Sequence, residues 1–554
     1  MKDLLTKQRR GFLRLVSHPA LRLATAILAL TVASAPGICR AEDKSAGLQA
    51  EIDQVERLIP AASELLVKLQ NDPLRPKYHF TAPWGWINDP NGLIFWKGRY
   101  HLFYQFNPNA AYWKSIQWGH ASSTDLCHWT HHPIAMAPEP GKPDWNGCYS
   151  GCAVVQNGVP TLVYLGVPGG ICTATSTDDE LIHWTKHPQN PVIAWPRPGE
   201  KKEYKTFDPS VWQHGGSWYA LSGWGRCFAR PDEPEGDTAF LFKSSDLVHW
   251  EYLHPFYQSE RRWTDADEDC AVPNFFPLGG KHVLLFASHK RGAQYYVGSY
   301  HDDRFEIEQH GRLNWTAGQV IAPNTMLDDQ GRRLLFAWVN EGRDEATHRA
   351  AGWAGVMTIP RVLTLATDGK EPRLRMAPVP ELESLRLNHR REAGIVLDAD
   401  SPKDIASIRG DCLEIQCEMT AATAGQFGLI VRASPDGAEQ TRIFYDPAAK
   451  QFKIDGSKSG LVLDARPRVP FLPEEEKKIH VQAAPFELSA GEPLRLRVFL
   501  DRSIVEVFVN GRQSLTQRIY PTRPDSLHVG VFCDGGRAKV NFIEAWDMAA
   551  TGSF

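Results

Sequence analysis

The chain has 554 residues, is 42% hydrophobic and carries a formal net charge of −4. The length exceeds what one core ordinarily holds, so two or more domains are expected, each with enough apolar residues for a globular interior. A nearly balanced charge without a long basic stripe argues against a nucleic-acid partner.

Residues 1–41 read as an export signal. Lys2, Lys7, Arg9, Arg10, Arg14 and Arg22 form a basic start, followed by an apolar stretch from Leu23 to Ala35. That stretch is short and weakly apolar for a membrane span, and Cys39-Arg40-Ala41 suits signal peptidase. Gln8-Arg9-Arg10-Gly11-Phe12-Leu13-Arg14 resembles a twin-arginine signal; a Sec-type signal or an uncleaved anchor is the alternative. The expectation is an exported protein, periplasmic or extracellular, with no membrane partner beyond the signal. Without Cys39, the cysteines are Cys127, Cys148, Cys152, Cys172, Cys227, Cys270, Cys412, Cys417 and Cys533. An odd number implies a free thiol or an intermolecular bond. Cys148 and Cys152 lack a second ligand pair, so no metal is expected.

Residues 42–76 read as an amphipathic helical segment and a linker. Leu48, Ile52, Val55, Ile59, Ala62, Leu66 and Leu69 advance in steps of four and three, which places them on one helix face. Pro60 is expected to kink or split the helix, and Asn71-Asp72-Pro73 to end it. The apolar face suits packing on the next domain or a short coiled-coil contact.

From residue 77 to 377 the texture changes to short apolar strands separated by Gly, Pro, Asn and Asp, which predicts an all-β domain. A repeat runs through it. Thr124-Asp125-Leu126-Cys127-His128-Trp129 returns as Thr177-Asp178 with Leu181-Ile182-His183-Trp184, and again as Ser245-Asp246-Leu247-Val248-His249-Trp250. The Trp residues are 55 and 66 positions apart. Such a period, with about four short strands, is that of a propeller blade. A degraded copy at Gly298–Phe305 and the flanking strands give five blades. The repeated Asp and His-Trp are read as turn and packing residues. Residues 378–390 (Pro378-Val379-Pro380-Glu381 onward) read as a linker. Residues 391–554 lack the repeat but keep the strands, with Asn510-Gly511 as a hairpin turn, and read as a β-sandwich.

Hydrolysis of a glycosidic bond needs two carboxyl groups, one as acid and one as nucleophile or base. Inner strands of a propeller bring such groups together from distant parts of a chain. Asp89 in Trp86-Ile87-Asn88-Asp89-Pro90-Asn91-Gly92 and Asp208 in Thr206-Phe207-Asp208-Pro209-Ser210 each stand just before a strand, although both settings are also good turns. The acidic run Asp265, Asp267, Glu268 and Asp269 leads into the apolar strand that follows Cys270.

These segments resemble glycoside hydrolase family 32, the invertases, levanases and inulinases. Similar to that family are also Tyr100-His101-Leu102-Phe103-Tyr104-Gln105-Phe106-Asn107-Pro108, Trp118-Gly119-His120-Ala121, Trp145-Asn146-Gly147-Cys148-Tyr149-Ser150-Gly151-Cys152, Met357-Thr358-Ile359-Pro360-Arg361 and Asp501-Arg502-Ser503-Ile504-Val505-Glu506-Val507-Phe508. The resemblance covers 77–548 and implies a five-bladed β-propeller followed by a β-sandwich, with a retaining mechanism. It implies Asp89 as nucleophile, Asp208 as transition-state stabiliser, and Asn88, Gln105, Trp113 and Ser150 lining a fructose pocket. The chain departs from the family at two points. Phe207 stands where the family has Arg, and Ala271 stands where it has the acid. The acid is therefore expected a few residues earlier, at Glu268 before Asp269, since Glu reaches further and its pKa rises readily in an apolar pocket.

The reading is a β-fructosidase that releases terminal fructofuranosyl units from sucrose, levan or inulin, with no metal or organic cofactor. Rival readings are another furanosidase such as an arabinofuranosidase, a fructosyltransferase, or an inactive carbohydrate-binding protein.

Overall fold

The computed structural model describes residues 60–551 apart from 197–199, 201, 225–236, 258, 267, 317, 367–371, 399–401, 422–424 and 462–479. The expected signal at 1–41 and the first part of the expected helix lie outside the described residues. Two compact units divide at Asp72. In the first, the helix Pro60–Asn71 ends where Asn71-Asp72-Pro73 was expected to end it. Asn71 Nδ2 donates to the Val67 carbonyl at 2.9 Å, and Lys68 lies in the last turn, where the helix dipole favours a cation.

The second unit holds five sheets, each built on a four-stranded antiparallel meander, three of them with a short fifth strand added. Their innermost strands are Gly85–Trp96, Gly147–Gln156, Pro209–His214, Ala271–Leu278 and Val320–Leu327. These strands touch in the order first, second, third, fourth, fifth and back to first, so the sheets close into a ring. Trp353–Ala354, which lies in sequence within the fifth blade, pairs in parallel with Gly85 and Trp86 of the first and latches that ring. The fold class is therefore the expected one.

The repeated motif is the turn between the third and fourth strands of the first three blades. Asp125 accepts from the backbone N–H of Cys127 and His128, Asp178 from Ile182 and His183, and Asp246 from Val248 and His249. Each Trp donates its indole N–H to the carbonyl of the repeated Leu, and that Leu has positive φ. The side chains thus satisfy backbone groups left unpaired by a tight bend. The fourth blade turns at Asp302 and Asp303 without a Trp.

The inner strands are interrupted near their starts. Ladder register shifts occur between Ile87 and Pro90, Cys148 and Gly151, Ala271 and Asn274, and Ile321 and Asn324. Bulges of this kind re-aim side chains out of the pleat. They fall at the same end of four strands around one axis, which makes that end a site.

The propeller's last strand ends at Pro378, and the sandwich's first strand, Arg386–Leu397, follows a single 3-10 turn at Pro380–Leu385. The linker is thus shorter than the expected 378–390. Its boundary was hidden because Arg386–Arg391 is mostly polar on a largely exposed strand and shows no apolar alternation. The sandwich packs two six-stranded sheets, and Asn510 and Gly511 make its hairpin with positive φ at both.

A buried charged cluster joins propeller and sandwich. Asp501 accepts from the backbone N–H of Lys77, Tyr78 and His79 at 2.7–2.9 Å, and from His79 Nδ1 at 3.0 Å. Glu506 accepts from Ile359 N at 2.8 Å, meets His79 Nε2 at 3.2 Å and is paired with Arg361. Tyr78 and Phe80 pack with Phe499, Phe508 and Met548 in one core around it. The Asp501–Phe508 segment is thus a docking element.

Candidate active site

Asp89 sits at the first interruption of the first inner strand, and Gly92 (φ +52°) at the second, where Trp118, Leu162 and Phe103 crowd the space a Cβ would take. Its carboxylate is held on one side by a closed set of hydrogen bonds. Asn88 Nδ2 donates to Oδ1 at 3.0 Å, Ser150 Oγ to Oδ2 at 2.5 Å, and Gln105 Nε2 to Oδ2 at 3.3 Å. Asn88 also donates to Gln105 Oε1 at 2.8 Å, and Trp86 Nε1 fixes Asn88 Oδ1 at 2.9 Å. Asn88, Gln105 and Ser150, expected as pocket residues, are thus brought directly onto Asp89. Trp113 is 49% exposed and touches the site's rim through Tyr149, ring to ring at 5.8 Å, beside Ser150. Neighbouring inner strands are pinned by Asn324, whose Nδ2 donates to Pro90 O and Gly151 O.

Asp208 stands just before the third inner strand and is buried. Its Oδ2 accepts a hydrogen bond from Val272 N at 3.2 Å. The two carboxyls feel one another. Burial, and next the Asp89 charge, push Asp208 up to about 8, and burial also raises Asp89. Hydrogen bonds from Ser150 and Asn88 counter the rise at Asp89, while among the described residues the Val272 N–H does so at Asp208. Hydrogen bonds thus favour the ionised form of Asp89, while burial and the Asp89 charge favour the protonated form of Asp208. An ionised carboxylate and a protonated neighbour form a nucleophile beside a hydrogen-bond donor.

Phe207, where a cation is expected by resemblance, is buried among Leu165, Val167, Ala271, Val272, Ala287 and Ala322. This wall of the site is apolar. Ala271 is part of it, so the position matching the usual acid supplies a methyl group.

Glu268 departs from its expected place. Its Oε1 accepts from Asp265 N at 3.0 Å and lies 3.6 Å from Arg312, and its Oε2 accepts from Gln294 Nε2 at 2.5 Å. The side chain is fully buried, and its charge acts on the buried Asp237. The reason is local: Gln294 and Arg312, on the outer strands of the fourth blade, offer Glu268 donors. Asp269 turns the other way. Its Oδ1 accepts from His289 N at 2.8 Å and its Oδ2 meets His289 Nδ1 at 2.6 Å. Both Asp269 and His289 act on the charge of Asp208, and His289 acts on that of Asp89. His289 was missed from the sequence; the available signal was a His directly after the apolar strand Lys281–Ser288.

A propeller whose inner strands bring a hydrogen-bonded carboxylate and a second, buried carboxyl together fits the two-carboxyl chemistry of a carbohydrate-cleaving hydrolase. Comparison with known proteins narrows the class. Residues 79–378 match the glycosyl hydrolases family 32 N-terminal domain, and residues 381–547 match the family 32 C-terminal domain. The chain belongs to glycosyl hydrolase family 32 and is a glycoside hydrolase of the β-fructofuranosidase kind. It is 31% identical over 510 residues to a sucrose-6-phosphate hydrolase of Zymomonas mobilis, covering 85% of this chain and 92% of that enzyme. It is 31% identical over 549 residues to a fructan 6-exohydrolase of Beta vulgaris, covering 86% and 87%. Among solved structures, fructan 1-exohydrolase IIa of Cichorium intybus superposes with a TM-score of 0.74 at 28% identity, covering 86% of this chain and 98% of that one.

Proposed function

We propose that the enzyme releases terminal β-fructofuranosyl units from sucrose or fructans by double displacement with retention. The observation that carries this reading is the hydrogen-bonded set of Asn88, Gln105 and Ser150 that orients the Asp89 carboxylate, with the buried Asp208 close enough to feel its charge. Asp89, ionised and oriented by Ser150, Gln105 and Asn88, attacks the anomeric C2. Asp208, which keeps its proton near neutrality, donates a hydrogen bond to a fructosyl hydroxyl and adds no second negative charge beside the nucleophile. A water molecule then releases fructose and restores Asp89. Trp113 supplies an aromatic face at the rim. Relatives acting on sucrose 6-phosphate and on fructans support the bond type and leave the second sugar open.

Residues 1–41 are proposed as the export signal, supported by their basic start, apolar stretch and paired arginines. N-terminal sequencing of the protein recovered outside the cytoplasm tests it; an intact Met1 on the cytoplasmic fraction alone would contradict it. The activity is tested by a hydrolysis screen over sucrose, sucrose 6-phosphate, inulin, levan and arabinofuranosides. Free fructose from sucrose, inulin or levan supports the reading. Turnover only on arabinofuranosides, transfer without hydrolysis, or binding without turnover would replace it.

A further inference from the structure

Both carboxyls at the expected acid segment are sealed. An acid must reach the leaving oxygen, yet the Glu268 side chain is 0% exposed with both oxygens engaged. The Asp269 side chain is 1% exposed, with both oxygens on His289. The His289 imidazole, by contrast, is 27% exposed. Its Nδ1 is committed to Asp269, and its ring lies 6.3 Å from that of Phe207, the residue immediately before Asp208.

We infer that His289, oriented by Asp269, is the proton donor to the leaving group, taking the place of the carboxylic acid that Ala271 and the sealed Glu268 cannot supply. The inference rests on the proposed fructosidase reading and deepens it. In the first step the Asp89 carboxylate forms a bond to C2 as the C2–O bond to the leaving sugar breaks. The bonding pair goes to that oxygen, which takes the proton from His289 Nε2, leaving a neutral imidazole. In the second step the neutral imidazole takes a proton from water as its oxygen bonds to C2 and the Asp89–C2 bond breaks. The imidazolium and the carboxylate are both restored. Asp269 is the positioning residue: its oxygens hold the ring and the backbone N–H that carries it, and its charge stabilises the imidazolium, as in other carboxylate–histidine pairs.

The charges facing the imidazole come from several elements. Asp269 precedes the fourth inner strand, Asp89 lies on the first, and Asp208 precedes the third. Lys290 and Arg291, next in the chain, pair with Asp265 at 3.8 and 3.3 Å. His289 also sits on the wall where Phe207 replaces the family's Arg, so one residue supplies a cation and a proton.

The test compares leaving groups. The wild type is first assayed on sucrose and on an aryl β-fructofuranoside with an acidic phenol; failure on both removes the fructosidase reading itself. For an active wild type, His289→Ala is expected to lose at least about 100-fold on sucrose, the low end for general acid catalysis, and far less on the aryl substrate, which departs without a proton. Added imidazole is expected to restore part of the sucrose activity. Asp269→Asn is expected to move the alkaline limb of the kcat/KM profile to lower pH, because the imidazolium loses its counter-charge; a merely structural role would lower the profile without moving it. Sucrose activity within a few-fold of wild type in His289→Ala overturns the inference. So do equal losses on both substrates without imidazole rescue, or a leaving-group-dependent loss in Glu268→Gln in place of His289→Ala.

Discussion

Two buried carboxylate pairs lie in the same unit, and their environments push them in opposite directions. At the junction of propeller and sandwich, burial alone would raise Asp501 and Glu506. His79, Arg361 and the backbone N–H groups of Lys77, His79 and Ile359 outweigh it and hold both carboxyls below their ordinary values. His79, between the two carboxylates, is raised despite its burial. At the mouth of the ring, burial raises both Asp89 and Asp208, the Asp89 charge adds to the rise at Asp208, and among the described residues Asp89 is the better supplied with donors. Carboxyls taken out of water therefore give a fastener in one place and a reactive pair in the other. The number of donors aimed at each carboxyl decides which.

The largest expected effect comes from Asp89→Asn, which keeps the shape of the Asn88–Gln105–Ser150 set and removes the attacking charge. Turnover of sucrose should fall by about 10⁴-fold or more, as for other nucleophile removals, with an unchanged melting temperature. Near-normal kinetics would place the nucleophile elsewhere. Arg361→Ala reverses the pattern: it leaves Glu506 buried without its guanidinium and should destabilise the protein by about 3–5 kcal/mol. Its kcat, measured well below the melting temperature, should be unaffected.

Replacing Asp208 by Asn sharpens the contrast through pH. A carboxyl whose folded pKa is raised contributes stability present below its unfolded value, and that contribution is lost as pH rises through the folded value, here from about 3.8 toward about 8. Asp208→Asn should therefore lose activity yet gain melting temperature relative to wild type, with the gain growing across that window. Asp501 and Glu506 run the other way. Their contribution is present above the ordinary carboxylate range and is lost as pH falls through their depressed values, so acid should loosen the junction first. A melting-temperature gain for Asp208→Asn that is flat in pH would contradict the assignment of the raised carboxyl. The smallest effect is expected at the repeated turn. Asp246→Ala should cost about 1 kcal/mol, the scale of a lost backbone cap, with no change in kcat, measured by denaturant unfolding.

The propeller was legible because its repeat is a local device: Asp246 and its counterparts satisfy neighbouring N–H groups within five residues, so the motif recurs in the chain as it does in space. Asp89 and Asp208 were legible for the same reason, each standing at the start of an inner strand. The acid was not, because the difference between Glu268 and Asp269 is set by partners 20 to 44 residues away. Gln294 and Arg312 draw one carboxyl outward, and His289 takes up the other. The start of the sandwich strand at Arg386 was likewise hidden, since its paired residues on Ala538–Met548 lie at the far end of the chain.

Rapid acid quenching during sucrose turnover, followed by mass spectrometry of the peptides, tests whether Asp89 is the nucleophile of a retaining fructosidase. A peptide containing Asp89 that is heavier by one fructosyl unit, absent in Asp89→Asn, is the expected result. A fructosyl adduct on a peptide carrying Asp208 or Asp269, or release of fructose with inverted configuration and no adduct at all, would contradict it.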